Sequence, residues 1–161
     1  MKRLNKKIAI ITGAASGIGK AITQRFSSEG ANVVIADYAK DKADVLAKNL
    51  ASKGANTFPI YFSADNLESC RQLINSVFEH YGQIDILINN IGGSNLTLDK
   101  DIEHLDINYF DEIFHINIRC ATYLTQLVIP FLERQNGGNI INIASISGIT
   151  GDYQGTYYGI S

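Results

Sequence analysis

Residues Lys7–Thr12 form a short apolar run that passes directly into a glycine-rich turn, Thr12-Gly13-Ala14-Ala15-Ser16-Gly17-Ile18-Gly19. The turn opens into a stretch to about Ser28 with Ile18, Ile22 and Phe26 on one helical face. A strand, a glycine turn and a helix in immediate succession leave few folds open. Glycines here let a backbone approach a pyrophosphate closely, while the helix N-terminus offers free N–H groups and partial positive charge. The spacing is Gly-x-x-x-Gly-x-Gly, not the Gly-x-Gly-x-x-Gly of the common dinucleotide fingerprint. The Lys-Ser/Thr ending of a triphosphate-hydrolysing loop is absent. Taken alone, such a turn also serves as a purely structural connection.

The rest of the chain repeats the alternation. Apolar runs at Asn32–Asp37, about Thr57–Phe62, Ile84–Asn89 and Asn139–Ala144 read as strands. Between them, helical spacing brings together Val45, Leu46 and Leu50, then Cys70, Leu73, Ile74, Val77 and Phe78, then Leu124, Val128, Phe131 and Leu132 in a long helix ending near Arg134. Asp65, with Glu68 three residues on, reads as the cap of the third helix. Near-continuous apolar strands alternating with helices predict an α/β fold: a doubly wound parallel sheet with helices on both faces.

Composition narrows the function classes. Fourteen basic residues against 16 acidic ones leave a net charge of −2, with no basic excess for a phosphate backbone, so no nucleic-acid partner is expected. The apolar run after the basic start Met1–Lys7 is too short for a signal-peptide core, and no run is long enough to span a bilayer, so no membrane partner is expected. Cys70 and Cys120 match no metal spacing and read as reduced thiols of a cytoplasmic protein. His80, His104 and His115 match no metal pattern, so no metal is expected.

Asp37 closes the second strand, 18 residues after Gly19. A carboxylate there can accept both hydroxyls of an adenosine ribose and repels a 2′-phosphate, which points to NAD(H) in preference to NADP(H). A solvated strand-end Asp or a helix cap is the alternative.

At this point the ordered motifs resemble the short-chain dehydrogenase/reductase family over all 161 residues. Thr12-Gly13-x-x-x-Gly17-x-Gly19 is similar to its cofactor loop, and Asn89-Asn90-Ile91-Gly92 to its Asn-Asn-Ala-Gly motif, with Ile91 in place of Ala. Asn117 falls where the family keeps an active-site Asn, Ser145 where it keeps a Ser, and Tyr158 lies thirteen residues further on, at the family's Ser-to-Tyr interval. The resemblance implies a Rossmann-like fold with Asn117, Ser145 and Tyr158 as the catalytic set. It implies cofactor contacts from Gly13, Ser16, Gly17, Ile18, Gly19, Asp37, Ser63, Ala64, Asn90, Ile91, Gly92 and Tyr158. Ser63 stands where the family usually has an adenine-contacting Asp, and Asp65 reads as the helix cap instead.

The implied reaction is hydride transfer between NAD(H) and a small-molecule carbonyl or secondary alcohol. A free Tyr has a pKa of about 10, and in the family an adjacent Lys lowers it and holds the nicotinamide ribose. Ser145 would bind the substrate oxygen and Asn117 a relay water. The family motif is Tyr-x-x-x-Lys, and Tyr158-Gly159-Ile160-Ser161 fills its first four positions. Residues 1–161 therefore read as one NAD(P)-binding domain, C-terminally incomplete and truncated after the fifth strand, with impaired catalysis expected. The fifth strand should form an exposed edge, and Leu124, Val128, Phe131 and Leu132 should lose a packing neighbour. A non-catalytic dinucleotide-binding or vestigial fragment is the alternative reading. Homo-oligomers are common in the family and expected for a full-length form. The loop Gly93–Asp106 and the segment Gly148–Gln154 are expected to border the substrate pocket.

Overall fold

The computed structural model describes residues 2–151 and 154–161. Met1 and Tyr153, the latter one of the clustered C-terminal tyrosines, lie outside the described residues.

Five parallel strands form one sheet in the order β3-β2-β1-β4-β5: β1 (Ile8–Thr12), β2 (Asn32–Asp37), β3 (Thr57–Tyr61), β4 (Ile86–Asn89) and β5 (Asn139–Asn142). The period of two along each strand divides the core between two layers. Ile8, Ile10, Val34, Ala36 and Leu87 face one layer. There they meet Cys70, Leu73, Ile74 and Val77 of α3 (Leu67–Tyr81) and Leu124, Val128 and Leu132 of α5 (Cys120–Arg134). Ala9, Ile11, Val33, Ile35, Ile86 and Ile88 face the other layer. Their partners include Ile22 and Phe26 of α1 (Gly17–Ser28) and Ala43, Leu46, Ala47 and Leu50 of α2 (Lys40–Ala51). The predicted doubly wound sheet with helices on both faces is the observed architecture.

The chain reverses direction in the sheet between β1 and β4. At such a switch point the loops after adjacent strands diverge and leave a crevice at the strands' C-terminal ends. Thr12 of β1 and Asn89 of β4 end there, and the functional residues gather around them.

Four sequence expectations need correction. Val45 and Ile18 are turned away from the core, at 58% and 62% exposure, because the small residues Ala43 and Ala47 of α2 and Gly19 and Thr23 of α1 make the close contacts instead, and Phe78, 39% exposed, packs at the margin of α3 against Phe131. Asp65 does not cap α3. Asn66 does, its Oδ1 accepting the Glu68 N–H at 2.9 Å, while Asp65 accepts the Ser63 hydroxyl. The predicted long helix is two α-helices, α4 (Asn108–Phe114) and α5, joined by a π-helical turn over His115–Arg119. Of the four residues expected to lose a packing neighbour, Leu124, Val128 and Leu132 are buried, because α5 packs on α3 as well as on the sheet, and Phe131 is half-buried. Cys70 and Cys120 meet inside that packing as free thiols, and their mutual hydrogen bond together with burial pushes Cys120 far above the ordinary thiol range.

Candidate active site

The glycine turn is braced from β4. The Asn90 side-chain amide donates to Thr12 O at 2.9 Å and Gly13 O at 3.4 Å, and the Thr12 hydroxyl accepts the N–H groups of Asn90 and Ile91. Gly19 packs so tightly under the turn that a Cβ there would sit 2.1 Å from Gly13 O and 2.7 Å from the Asn90 amide nitrogen. Gly17, at φ +49°, faces open space instead. Ser16 starts α1 without a side-chain hydrogen bond to it, so the first-turn N–H groups of a twelve-residue helix are left for an outside acceptor. This cradle suits the pyrophosphate of a dinucleotide.

Asp37 holds the turn from the other side. Its carboxylate is buried and accepts the N–H of Ala15 at 2.8 Å and of Ala39 at 2.9 Å. Ser63 and Ala64 follow β3, the neighbouring strand. Ser63 is buried, with its N–H on the Ser69 hydroxyl. Asp37, Ser63 and Ala64 thus stand at the strand ends on the β2–β3 side, apart from the cleft that gathers the predicted catalytic residues.

That cleft, about 620 Å³, opens between the turn after β4 and the segments after β5. Ile18, Asn90, Ile91 and Gly92 line one side. Asn117, Ser145 and Tyr158 line it with them, so all three predicted catalytic residues meet in one cavity. Each is set by a different local device. Asn117 lies in the π-helical turn, where the Cys120 N–H reaches back five residues to His115 O. Its amide exchanges two hydrogen bonds with the Gly93 backbone, at 3.0 and 3.1 Å, and donates to the Ser161 hydroxyl at 2.8 Å. Ser145 follows β5, and its hydroxyl oxygen accepts the Ser147 N–H at 3.2 Å, ahead of the short α6 (Ser147–Thr150). Tyr158 sits in α7 (Thr156–Ile160). Its neighbour Tyr157 turns away into an aromatic cluster with Tyr109 and Phe110.

Of the segments expected to border the pocket, Gly148 lines the cleft, and the loop 93–106 reaches its edge through Gly93, whose backbone is bonded to Asn117. Sequence reading missed Asp99, a fully buried carboxylate within that loop that accepts the backbone N–H groups of Tyr157 and Tyr158. No periodicity announces it. The one available signal is Gly155, a residue without a side chain at the start of a helix.

Comparison with known proteins matches residues 7–161 to the short chain dehydrogenase family. The chain belongs to this family. It is 56% identical over 161 residues to a 7α-hydroxysteroid dehydrogenase of Bacteroides fragilis, covering all of this chain and 62% of that protein. It is 34% identical over 159 residues to a 3-oxoacyl-[acyl-carrier-protein] reductase of Thermotoga maritima, covering 99% and 63%. A solved 7α-hydroxysteroid dehydrogenase, complexed with NADH and 7-oxo glycochenodeoxycholic acid, superposes with a TM-score of 0.93 at 31% identity, over 99% of this chain and 61% of that one. This short-chain dehydrogenase chain thus spans somewhat over three-fifths of these relatives' length.

Proposed function

We propose that the protein carrying these residues transfers hydride between a nicotinamide dinucleotide, NAD(H) in preference to NADP(H), and a secondary alcohol or ketone, with a 7α-hydroxysteroid as substrate. The convergence of Asn117, Ser145 and Tyr158 on one cleft beside the glycine turn carries the reading. A nicotinamide bound there supplies or accepts the hydride. The chain's own residues handle the oxygen. The Ser145 hydroxyl accepts from Ser147 N–H and so keeps its hydrogen for the substrate oxygen. The Tyr158 hydroxyl moves a proton to or from that same oxygen. Asn117 clamps Gly93 and the end of α7 around the site.

Cofactor preference follows from charge. Asp37 puts a buried negative charge at the end of β2, where a 2′-phosphate would be repelled. Lys40, close by in sequence, is paired with Asp44. The steroid assignment draws on two relatives, 56% and 34% identical, that carry the 7α-hydroxysteroid name. The exposed Ile146 and Ile160 that line the cleft add apolar surface for a fused-ring body. Among the described residues no helix is long and apolar enough to cross a membrane. The same reading puts the protein in the cytoplasm, in keeping with the free thiols Cys70 and Cys120, and makes its full-length form a homo-oligomer, as the family resemblance implies.

The test is reduction of NAD⁺ or NADP⁺ by the protein as its gene encodes it, with a 7α-hydroxy bile acid or its 7β epimer. NADH formation with NAD⁺ and the 7α epimer is expected. Cofactor binding with no turnover of either epimer, or of a panel of other secondary alcohols, would replace this reading with the binding-only one.

A further inference from the structure

We propose that Asp99 is the positioning residue of the active site: its carboxylate fixes the rotation of α7 and thereby aims Tyr158 into the cleft. The inference rests on the reading of Tyr158 as the acid–base group. A helix start normally satisfies its first N–H groups with the side chain of the N-cap residue. Here the N-cap is Gly155, at φ 84° and ψ 38°, which has no side chain to offer. The missing acceptors come from more than fifty residues away. Asp99 Oδ1 accepts the Tyr157 N–H and Oδ2 the Tyr158 N–H, both at 2.9 Å. Asp99 O accepts the Gly155 N–H at 3.1 Å, and Lys100 O accepts the Thr156 hydroxyl at 2.9 Å. The Ser94 hydroxyl donates to Asp99 Oδ2 at 2.7 Å, fixing the carboxylate itself.

Two successive N–H groups on the two oxygens of one planar group fix an angle as well as a position. That angle matters because α7 carries two adjacent tyrosines with different destinations. Tyr157 is buried against Phe110 and Tyr109, and Tyr158 lines the cleft with Ser145 and Asn117. Successive helical residues point about 100° apart, so a modest rotation of this short helix would carry Tyr158 out of reach of the reacting oxygen. Asp99 is wholly buried and supplies charge-assisted acceptors that water cannot replace.

The experiment compares wild type, Asp99→Asn and Ser94→Ala in the protein as its gene encodes it, reading amide hydrogen exchange, NADH affinity, and kcat with KM. Asn at 99 keeps one oxygen and turns an NH₂ toward a backbone N–H. Exchange at Tyr157 and Tyr158 should quicken by about tenfold or more, with the amides of β1 and β4 unchanged. In Asp99→Asn, kcat should fall by about ten- to a hundredfold, while KM and NADH affinity stay within about twofold. Ser94→Ala leaves both acceptors in place and should lower kcat by about threefold through a looser carboxylate. A merely structural role would lower cofactor binding and strand protection together with turnover. That result overturns the proposal, as does unchanged kcat or unchanged exchange in a folded Asp99→Asn protein. If Asp99→Asn does not fold, Ser94→Ala decides, and wild-type kcat and exchange in it overturn the proposal. A wild type without turnover refutes the dehydrogenase reading, and the exchange measurement still decides whether Asp99 holds Tyr158.

Discussion

The most exposing perturbation of the cofactor cradle is Gly19→Ala. Ala is the better helix former, by about 1 kcal/mol, and Gly19 lies inside α1, so propensity alone predicts stabilisation. The geometry predicts the opposite. The new Cβ would meet Gly13 O at 2.1 Å and the Asn90 amide nitrogen at 2.7 Å, and one obstacle is backbone. Relieving it requires the Gly13 carbonyl to move by about 1.3 Å or more to reach ordinary contact distance. Overpacking of this kind costs about 1–3 kcal/mol, which leaves a net loss of about 1 kcal/mol after the propensity gain. The displaced turn also loses the Asn90 brace on Thr12 O and Gly13 O. NADH affinity should therefore fall by at least about tenfold, equivalent to about 1.4 kcal/mol. Urea melts and NADH fluorescence titrations on wild type and variant read the two effects separately. A variant as stable as wild type, or more stable, that binds NADH equally well would refute both the clash and the placement of the cofactor on this turn.

Three further substitutions have defined outcomes. Asp37→Ala should narrow the preference for NADH over NADPH in binding titrations, because it removes the charge that opposes a 2′-phosphate; an unchanged ratio would refute that role. It should also lower stability by about 1–2 kcal/mol in urea melts, since the Ala15 and Ala39 N–H groups lose a buried acceptor. Tyr158→Phe should abolish turnover with NADH affinity nearly unchanged, and retained turnover would move the acid–base role to another group. Glu29 concerns pH. Hydrogen bonds from the Arg3 side chain and backbone, with the charge of Arg25, hold its carboxyl down to about 2 from an ordinary 4.5. A depressed folded-state value stabilises fully above the unfolded value and is lost as pH falls through the folded one. The stability gap between wild type and Glu29→Gln should then be complete at neutral pH and close between pH 4.5 and 2 in acid-dependent melts. A gap independent of pH would refute it.

Much of the fold was legible because its signals are local. The period-two division of Ile8 and Ile10 from Ala9 and Ile11 sets the two faces of β1, and the strand boundaries follow from where such runs stop. What misled was the assumption that the largest apolar residues mark the buried stripe of a helix. In α1 and α2 the close approaches are made by Gly19, Thr23, Ala43 and Ala47, while Ile18 is displaced to the cleft and Val45 to solvent. Apolar spacing weights large side chains, whereas a helix pressed on its neighbours favours small side chains at the point of closest approach. The π-helical turn at His115–Arg119 left no mark on the apolar spacing, because none of its five residues is buried.

The candidate site divides along the same line. The glycine turn, Asn117, Ser145 and Tyr158 were readable as motifs and intervals, and the fold gathers the last three into one cleft. The residues that hold them are long-range and polar, so no periodicity betrays them. Asn90, which its motif did mark, works on the turn's carbonyls across 78 and 77 positions, whereas Asp99, which no motif marks, works on α7 across 58 and 59. A helix that opens on Gly155 with no local acceptor must find one elsewhere or leave buried N–H groups unpaired. An uncapped helix start beside a functional residue is thus a demand that the remaining sequence has to meet. The acids of the loop after β4 are the reachable candidates, and burial then separates Asp99 from the half-buried Asp101 and the exposed Glu103 and Asp106.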